Sequence, residues 1–387
     1  MNTWVIAVLV VIVALLGAPL FSLIGGIALY AFNRQDIDTS SVIIELYRIA
    51  ETPTLIAIPL FTFAGYLLAE SKSPQRLVAL SRAMFGWIPG GLAIVVLVTC
   101  AFFTAFTGAS GVTIVALGGI LYPLLIQETY PERFSLGLVT ASGSIGLLFP
   151  PSLPIILYGI IAEVSIDELF IAGIIPGIIL VTFVALYSMR VGVKSKVLRI
   201  QFSWRNLLLA VRGAAWEIPL PFIIVGGIYG GAFTATEASA VTAFYVLVVV
   251  AFIYRDMTLT RDVPKVMKES MVLVGAILAI LGTAFGLTNY LIDEQVPQQL
   301  FEFVQSNVES KIAFLLILNL FLLLVGMMMD IFSAIIVVVP LILPIARAFN
   351  VDPLHLGIIF LTNLEIGYLT PPVGLNLFLS ALRFKKP

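Results

Sequence analysis

The chain is built from long apolar runs that are interrupted by short polar or charged segments. Uninterrupted runs longer than about 18 residues predict helices that cross a membrane. Such runs lie at 4–32, 168–189 and 311–329. The first run is too long for the apolar core of a signal peptide, so we interpret it as a retained span.

Two of the apolar runs contain a pair of prolines, in GLLFPPS (146–152) and in GYLTPPV (367–373). Proline inside a helix removes a backbone donor and clashes with the preceding turn, so each pair predicts a broken helix. In lipid, a broken helix is tolerated only where it is buried in protein or lines a cavity. Each break is therefore expected either to be buried in protein or to line a cavity.

Composition agrees with a polytopic membrane protein. The 387 residues are 60% hydrophobic and 11% charged, whereas a soluble domain carries roughly 25% charged residues. One cysteine (Cys100) and one histidine (His355) exclude a disulfide framework and argue against a His/Cys metal site. The net charge of −1 and the lack of a basic stripe give no indication of nucleic-acid binding.

Several features occur twice in the same order, about 220 residues apart. In each copy, one apolar run leads into an amphipathic segment and a second apolar run ends in a short stretch of small or polar residues. A third apolar run contains the proline pair. The matching stretches are 61–80 with 282–303, 106–113 with 326–333, and 136–152 with 356–373. The sequence therefore predicts two structural repeats.

Charge gives the orientation of the repeats. The loop 190–212 carries six basic residues and no acidic one, so it is expected in the cytoplasm; the six are Arg190, Lys194, Lys196, Arg199, Arg205 and Arg212. Following the chain from this loop places 33–52, 163–168 and 292–311 outside, and the C-terminal basic cluster in the cytoplasm. Five spans then separate the equivalent segments 53–69 and 271–291, an odd number, so the two halves are inverted. Inverted repeats with facing broken helices are typical of secondary transporters.

The predicted fold is thus an all-α polytopic membrane protein made of two inverted repeats, each with a re-entrant helical hairpin and a Pro-Pro-broken transmembrane helix. The first half (1–215) holds an amphipathic arm at 71–86, a hairpin at 88–127 and a broken helix at 134–160. The second half (216–387) holds an arm at 292–310, a hairpin at 312–347 and a broken helix at 355–382.

A broken helix leaves backbone carbonyls without partners, and these can bind a small cation such as Na⁺. Hydroxyls near the breaks can add further oxygens. The candidate positions are Thr107, Ser110, Thr113, Ser142, Ser144, Ser333, Asn363 and Thr370. Asp330 and Glu365 stand out because ionisable groups deep in a membrane are costly and usually functional. Three roles are open for Asp330: an ion ligand, a protonatable group or a helix cap. For Glu365 the expected roles are capping backbone amides or pairing with a basic group.

Five stretches resemble the large membrane subunit (DctM/SiaM type) of tripartite ATP-independent periplasmic (TRAP) transporters. They are FFTAFTGASGVTIVALGGILYPLL, GLVTASGSIGLLFPPSLPIILYG, GGIYGGAFTATEASAVTAFY, VGMMMDIFSAIIVVVPLILPIA and GYLTPPVGLNLFL. The resemblance implies an elevator-type Na⁺-coupled symporter in the bacterial inner membrane. It also implies two partners, a periplasmic substrate-binding protein that delivers an organic acid and a small four-helix membrane subunit. Glu237, in the third stretch, either caps a helix or contacts the small subunit.

The resemblance also implies two or more Na⁺ sites where each hairpin tip meets a broken helix, with substrate between the tips. Na⁺ site one would use Thr107, Gly108, Ser110, Gly143, Ser144, Phe149 and Pro151. Na⁺ site two would use Gly326, Met329, Asp330, Gly367, Thr370, Pro372 and Val373. Substrate would contact Thr107, Ala109, Ser110, Ser152, Asp330, Ser333 and Asn376. Family members usually carry a serine where Ala109 stands, so only backbone ligands are expected there.

The leading hypothesis is therefore a transport subunit that imports a C4-dicarboxylate, sialic acid or another carboxylate, and is not an enzyme. No GxxxxGK[ST] motif is present in the chain, so no ATP chemistry is expected from it. A stand-alone anion carrier of the same superfamily is the alternative, and dependence on a binding protein separates the two. An intramembrane enzyme using Asp330 and Glu365 is less favoured because the chain lacks a His-rich metal motif, and a passive channel fits inverted halves with polar tips facing broken helices less well.

Overall fold

The structure is a computed structural model that describes residues 3–35, 37–40, 43–44, 47, 51–197, 201–308 and 310–386. Arg199 of the basic loop and parts of the predicted outer segment 33–52 lie outside these residues. Within the described ranges the chain forms helices and turns without a β-strand, which confirms the all-α prediction. Seven of the described helices are long and apolar enough to cross a membrane, or eight if the bent pair 132–148 and 153–162 counts as one span.

The α-helices of the described residues are joined mostly by short connections. In chain order they are α1 (Thr3–Leu15), α2 (Leu20–Arg34), α3 (Ala57–Glu70), α4 (Ser73–Phe85), α5 (Gly91–Thr107), α6 (Ser110–Gln127), α7 (Glu132–Ile145), α8 (Leu153–Ala162), α9 (Ile166–Lys194), α10 (Trp204–Gly213), α11 (Pro219–Tyr229), α12 (Ala235–Val248), α13 (Asp262–Asp293), α14 (Val296–Asn307), α15 (Lys311–Met328), α16 (Ile331–Ala348), α17 (Pro353–Gly367) and α18 (Leu375–Phe384).

Two helix–tip–helix units lie where the hairpins were predicted. In the first, α5 ends because Gly108 adopts a left-handed backbone conformation (φ +64°), which glycine reaches without a steric penalty. In the second, α15 ends at Met328 and Asp330 caps the start of α16. The re-entrant path of both units through the membrane stays a prediction.

Both proline pairs interrupt helices. The axes of α7 and α8 are bent by 44° across residues 149–152, and α17 ends at Gly367, before α18 begins at Leu375. Both Pro-Pro peptide bonds are cis. The predicted breaks are therefore present, each followed by a separate half-helix.

Each half-helix after a break packs on the hairpin of the opposite half. Helix α18 lies against α6 and α7, and α8 lies against α16. Ser110 Oγ donates to Asn376 Oδ1 at 2.8 Å, and the hydroxyl oxygens of Thr140 and Ser380 are 2.7 Å apart. These contacts bring residues more than 200 positions apart in the sequence into one bundle around the two tips.

A buried charge cluster around Arg76 ties the arm helix α4 to the segment before α11 and to the segment between α12 and α13. Arg76 Nε lies 2.5 Å from Glu217 Oε1, and Arg76 Nη2 lies 2.8 Å from Asp256 Oδ2. The guanidinium also stacks over the Tyr254 ring at 3.8 Å, and Ser73 Oγ donates to Glu217 at 2.9 Å. Burial alone would lower the pKa of the Arg76 guanidinium, but the hydrogen bonds to Asp256 and Glu217 outweigh burial and raise it.

The outer faces of several helices expose large apolar side chains. Ile175 and Phe183 of α9 and Leu316 of α15 are about two-thirds exposed. A membrane-spanning helix can present such residues to lipid without the cost they would carry in water. These faces agree with a lipid-facing surface on both halves.

Candidate functional site

A cavity of about 610 Å³ lies between the two hairpin tips. The first tip contributes Gly108 through Val112, and the second contributes Asp330 through Phe332. The rest of the described lining comes from α3, α6, α13, the two breaks and α18; it consists of Tyr66, Ala69, Glu70, Val115, Ala116, Leu147, Leu273, Tyr368, Leu375 and Leu379. Its volume is typical of a site for a small molecule.

Hydroxyl and carbonyl oxygens cluster behind the first tip. Thr104 Oγ1 donates to Thr113 Oγ1 at 2.7 Å and lies 2.9 Å from the carbonyl oxygen of Gly143. Thr107 Oγ1 lies 3.5 Å from Thr113 Oγ1. All four residues are buried, and all four oxygens are neutral. A small monovalent cation is compatible with such oxygens, since carbonyl and hydroxyl groups supply ligands without a buried countercharge.

The second tip is organised by the Asp330 carboxylate. Asp330 Oδ1 accepts hydrogen bonds from the backbone amides of Phe332 and Ser333 at 3.0 and 3.1 Å, and Oδ2 accepts one from the Ser333 hydroxyl. Tyr368, at the second break, accepts a hydrogen bond from the Ile331 amide. Of the three roles open for Asp330, helix capping is therefore observed.

At the second tip the backbones of α15 and α17 cross at Gly326 and Gly367. A Cβ atom added to Gly367 would lie 2.7 Å from both the carbonyl carbon and the Cα of Gly326. Just beyond the break, the Gly374 amide donates to the Met327 carbonyl at 3.1 Å. Only glycine allows this approach, so these residues hold the second break directly against the second tip.

Parts of each predicted ion site lie together, because a Cβ built on Gly143 would lie 3.4 Å from the Ser110 carbonyl oxygen and Gly326 lies against Gly367. The Phe149 ring lies instead against Gly177 of α9, and only some of the residues predicted for substrate line the cavity. Ala109, Ser110 and Asp330 line the cavity. Thr107, Ser152, Ser333 and Asn376 do not line it; they are buried in the packing around the tips. Asn376 accepts the hydrogen bond from the Ser110 hydroxyl. Asn376 therefore positions Ser110, which lines the cavity, without lining the cavity itself. At the second break, Thr370 donates to the Ile366 carbonyl at 2.9 Å, and Val373 is half-exposed.

Three residues at the site were missed by sequence reasoning. Thr104 lies one helical turn before Thr107 on the same face of α5, and this spacing was the available signal. Glu70 ends α3 and Tyr368 follows α17; nothing in their local sequence indicates that both line one cavity.

Two buried polar groups near the breaks have no hydrogen-bond partner among the described residues. They are Ser152 Oγ, at the start of α8, and Glu365 Oε1, one turn before the second break. Neither of the expected roles of Glu365, capping amides or pairing with a basic group, is seen in the described part of the chain.

Glu237 forms a capping box with Thr234 at the start of α12, so the capping alternative for this residue is confirmed.

A larger cavity of about 1060 Å³ lies apart from the tips and contains none of the predicted site residues. It is lined by residues just before α3, the end of α8, and parts of α13, α14 and α16, with Arg347 and Glu163 among its charged residues. On the predicted topology it faces the outside. The tip cavity instead includes Glu70 at the predicted cytoplasmic end of α3.

The chain is similar in sequence to known transporter subunits and similar in fold to a solved transporter structure. The large permease protein of a C4-dicarboxylate TRAP transporter from Pseudomonas aeruginosa is 38% identical over 359 residues, covering 92% of this chain and 83% of the relative. The large permease protein of an ectoine/5-hydroxyectoine TRAP transporter from Ruegeria pomeroyi is 32% identical over 350 residues, covering 90% and 82%. The crystal structure of the Alcanivorax borkumensis YdaH transporter shares the fold, with a TM-score of 0.59 at 14% identity over 89% of this chain and 80% of that one.

The family comparison covers almost the whole chain. Residues 4–385 match the DctM component of the tripartite ATP-independent periplasmic transporters. Together with the long apolar helices, this makes the chain a multi-pass protein of the bacterial inner membrane. The chain belongs to the family of large permease subunits of TRAP transporters.

Proposed function

We propose that this chain is the transport subunit of a Na⁺-coupled secondary transporter that imports a small organic acid. A periplasmic substrate-binding protein would deliver the substrate, and a small four-helix membrane subunit would complete the membrane part. The family supports a tripartite system. The Na⁺ coupling and the nature of the substrate are our own proposals from the site.

The observation that carries the proposal is the convergence of both hairpin tips and both broken helices on one cavity. The tip residues Gly108–Val112 and Asp330–Phe332 face each other across it, and the Pro-Pro breaks lie directly against them. Breaks of this kind free backbone carbonyls and helix ends for ions and substrate. A passive channel would not need two separately formed tips with a binding-sized cavity between them.

Na⁺ is proposed at the two places where a tip meets a break. At the first, four oxygens lie close together. Thr104 Oγ1 is within 3.5 Å of both Thr113 Oγ1 and the Gly143 carbonyl oxygen, and Thr113 Oγ1 is 3.5 Å from Thr107 Oγ1. At the second, the backbones of Gly326 and Gly367 approach each other closely near the ends of α15 and α17. Ligands at the second place would be mostly backbone oxygens, with Asp330 as the nearest carboxylate on the tip.

The two cavities support alternating access. The tip cavity extends to Glu70, at the predicted cytoplasmic end of α3, whereas the larger cavity lies at the predicted outer ends of α8 and α13. We therefore interpret the structure as an inward-facing state. Movement of the two hairpins and their half-helices against the helices α3, α12 and α13 would carry the tip cavity toward the outside.

Cation-dependent stability tests the first ion site without knowledge of the substrate. A ligand that binds only the folded protein stabilises it by about 2.7 kcal/mol at a concentration of 100 Kd. NaCl should therefore raise the melting temperature of the purified protein above the value in KCl at equal ionic strength. Thr113→Val should shift this Na⁺ response to higher concentration, because it removes a proposed oxygen ligand.

The matched control is Thr242→Val. Thr242 is also a fully buried threonine, but its hydroxyl donates to Ala238 O within α12, away from the tips. This variant should respond to Na⁺ as the unmodified chain does. Equal stabilisation by Na⁺ and K⁺, or an equal shift in both variants, would contradict the proposed site.

A further inference from the structure

The short helix α10 exposes an apolar strip that is bordered by two arginines. Trp204, Leu208 and Val211 are 70%, 65% and 38% exposed, and at about 100° per residue they fall on one side of the helix. Arg205 and Arg212 lie next to this strip and are also exposed. No residue of α10 is buried, although the helix packs on the arm helix α4. An exposed strip of this kind indicates an apolar partner.

The segment around α10 carries only positive charge. The stretch 190–216 contains no aspartate or glutamate. Its described basic side chains are all exposed, and none of them forms a salt bridge with a described residue; they are Arg190, Lys194, Lys196, Arg205 and Arg212. A partner that matches this surface must therefore be both apolar and anionic.

The position of α10 in the chain places it beside the membrane. It follows α9, which has 29 residues and is apolar enough to span a membrane, and it precedes the apolar helix α11. It therefore lies between two apolar helices, at the end that the charge pattern assigns to the cytoplasm. Tryptophan is enriched where lipid chains meet headgroups, and Phe202 packs edge-on against both Trp204 and Trp87.

The protein holds α10 at both ends, so its exposed face has a fixed direction. At the start, the Ser203 hydroxyl accepts a hydrogen bond from the Asn206 amide at 3.4 Å. At the end, Tyr254 Oη lies 2.7 Å from the Gly213 carbonyl oxygen. The Tyr254 ring stacks on Arg76 of the buried cluster, and so a ligand that stabilises α10 would also stabilise the arm helix α4.

We propose that α10 is an interfacial helix that binds anionic phospholipid of the cytoplasmic leaflet. The apolar strip would lie among the upper parts of the acyl chains, as the apolar faces of interfacial helices do. Arg205 and Arg212 would bind headgroup phosphates by charge-assisted hydrogen bonds. A protein partner would need a surface that is both acidic and apolar, whereas the cytoplasmic leaflet has both properties everywhere.

The test titrates short-chain lipids into the purified permease with its small membrane subunit in an uncharged detergent and follows the melting temperature. Dioctanoyl-phosphatidylglycerol, which is anionic, should raise the melting temperature more than dioctanoyl-phosphatidylcholine, which has no net charge. Glycerol 3-phosphate, which has the phosphate without acyl chains, should not raise it. One basic residue near an anionic surface contributes about fivefold in affinity. Arg205→Gln combined with Arg212→Gln should therefore raise the midpoint concentration of phosphatidylglycerol by about 25-fold.

The matched control is Arg255→Gln combined with Arg261→Gln. These arginines are also exposed and on the predicted cytoplasmic side, but each is followed directly by an aspartate, so the midpoint should not change. Leu208→Gln tests the apolar strip while keeping both arginines of α10, and it should also weaken the response to phosphatidylglycerol. Leu259→Gln, at a leucine that is 48% exposed in the control segment, should not.

Equal stabilisation by phosphatidylglycerol and phosphatidylcholine, stabilisation by glycerol 3-phosphate, or equal midpoints in the two double-arginine variants would overturn the inference. A response that is present in the permease alone but absent with the small membrane subunit bound would also overturn it, because a protein would then cover α10. No substrate or Na⁺ enters these measurements, so their outcome is independent of the proposed transport function.

Discussion

Replacing Arg76 by methionine should destabilise the protein far more than the same change six residues later in the same helix. Arg76→Met keeps a long apolar side chain but leaves two buried carboxylates without their guanidinium. The side chains of Glu217 and Asp256 are 0% and 5% exposed. Ser73 and Tyr254 still donate to Glu217, but they bring no charge.

The expected cost follows from burial. Removing one partner of a buried ion pair typically costs about 3–5 kcal/mol, because the other charge stays buried and uncompensated. With an unfolding entropy of about 2.1 cal/mol/K per residue, 387 residues give about 0.8 kcal/mol/K. The melting temperature should therefore fall by about 4–6 °C.

Arg82→Met is the matched control on α4. Arg82 pairs with Glu128 at 3.0 Å, but the two side chains are 40% and 24% exposed. An exposed pair contributes about 0–1 kcal/mol, so the melting temperature should fall by about 1 °C. Both variants are compared by tryptophan fluorescence during heating in the same detergent.

A double variant separates the charge effect from lost packing. Arg76→Met combined with Glu217→Gln removes one uncompensated charge, so it should recover part of the stability lost in Arg76→Met. Equal losses in Arg76→Met and Arg82→Met, or no recovery in the double variant, would refute the role assigned to the buried cluster.

Three further predictions concern close backbone approaches and caps. Gly367→Ala should destabilise by about 1–3 kcal/mol in thermal unfolding because its Cβ would meet the Gly326 backbone; Gly137→Ala, with open space around it, should be tolerated, and equal losses would contradict the crossing. Gly65→Ala should abolish Na⁺-dependent stabilisation, since its Cβ would lie 2.4 Å from the Phe106 carbonyl oxygen beside the first tip; an unchanged Na⁺ response would count against it. Glu237→Ala should cost about 1 kcal/mol in the same unfolding assay, as loss of a capping box does, and no loss would show that the cap is not needed.

The sequence allowed the helical class and the places of the tips and breaks to be predicted, because these depend on local patterns. The apolar runs exceed the length of a membrane span, and each proline pair interrupts a helix whatever surrounds it. Gly108 also marks the first tip through a local pattern, because a glycine in the left-handed conformation commonly ends a helix.

What could not be predicted depends on pairs of residues that are far apart in the chain. Arg76 and Glu217 are 141 positions apart, and nothing near Arg76 distinguishes it from Arg82, whose side chain is 40% exposed. Similarly, Ser110 was expected to face substrate or an ion, and its hydrogen bond to Asn376 crosses 266 positions. Such contacts follow only from the way each half-helix packs on the opposite hairpin.

The presence of two acidic side chains in the tip cavity also could not be predicted from the sequence. Asp330 was recognised because it interrupts an apolar run, but Glu70 lies at the polar end of a span, where an acidic residue is ordinary. The two carboxylates share a cavity because α3 runs past the first tip, with Gly65 against Phe106 and Thr107. The charge of a site therefore depends on helix packing as much as on the residues that form its motif.

Uptake by proteoliposomes is the most direct test of Na⁺-coupled transport that depends on a binding protein. The vesicles would contain this chain and its small membrane subunit, with the binding protein added outside and an inward Na⁺ gradient imposed, and labelled succinate, sialic acid and ectoine would be followed. We expect uptake of at least one substrate only when both the Na⁺ gradient and the binding protein are present. Uptake that persists after the binding protein is omitted would indicate a stand-alone carrier, and uptake that persists after Na⁺ is replaced by K⁺ on both sides would contradict Na⁺ coupling.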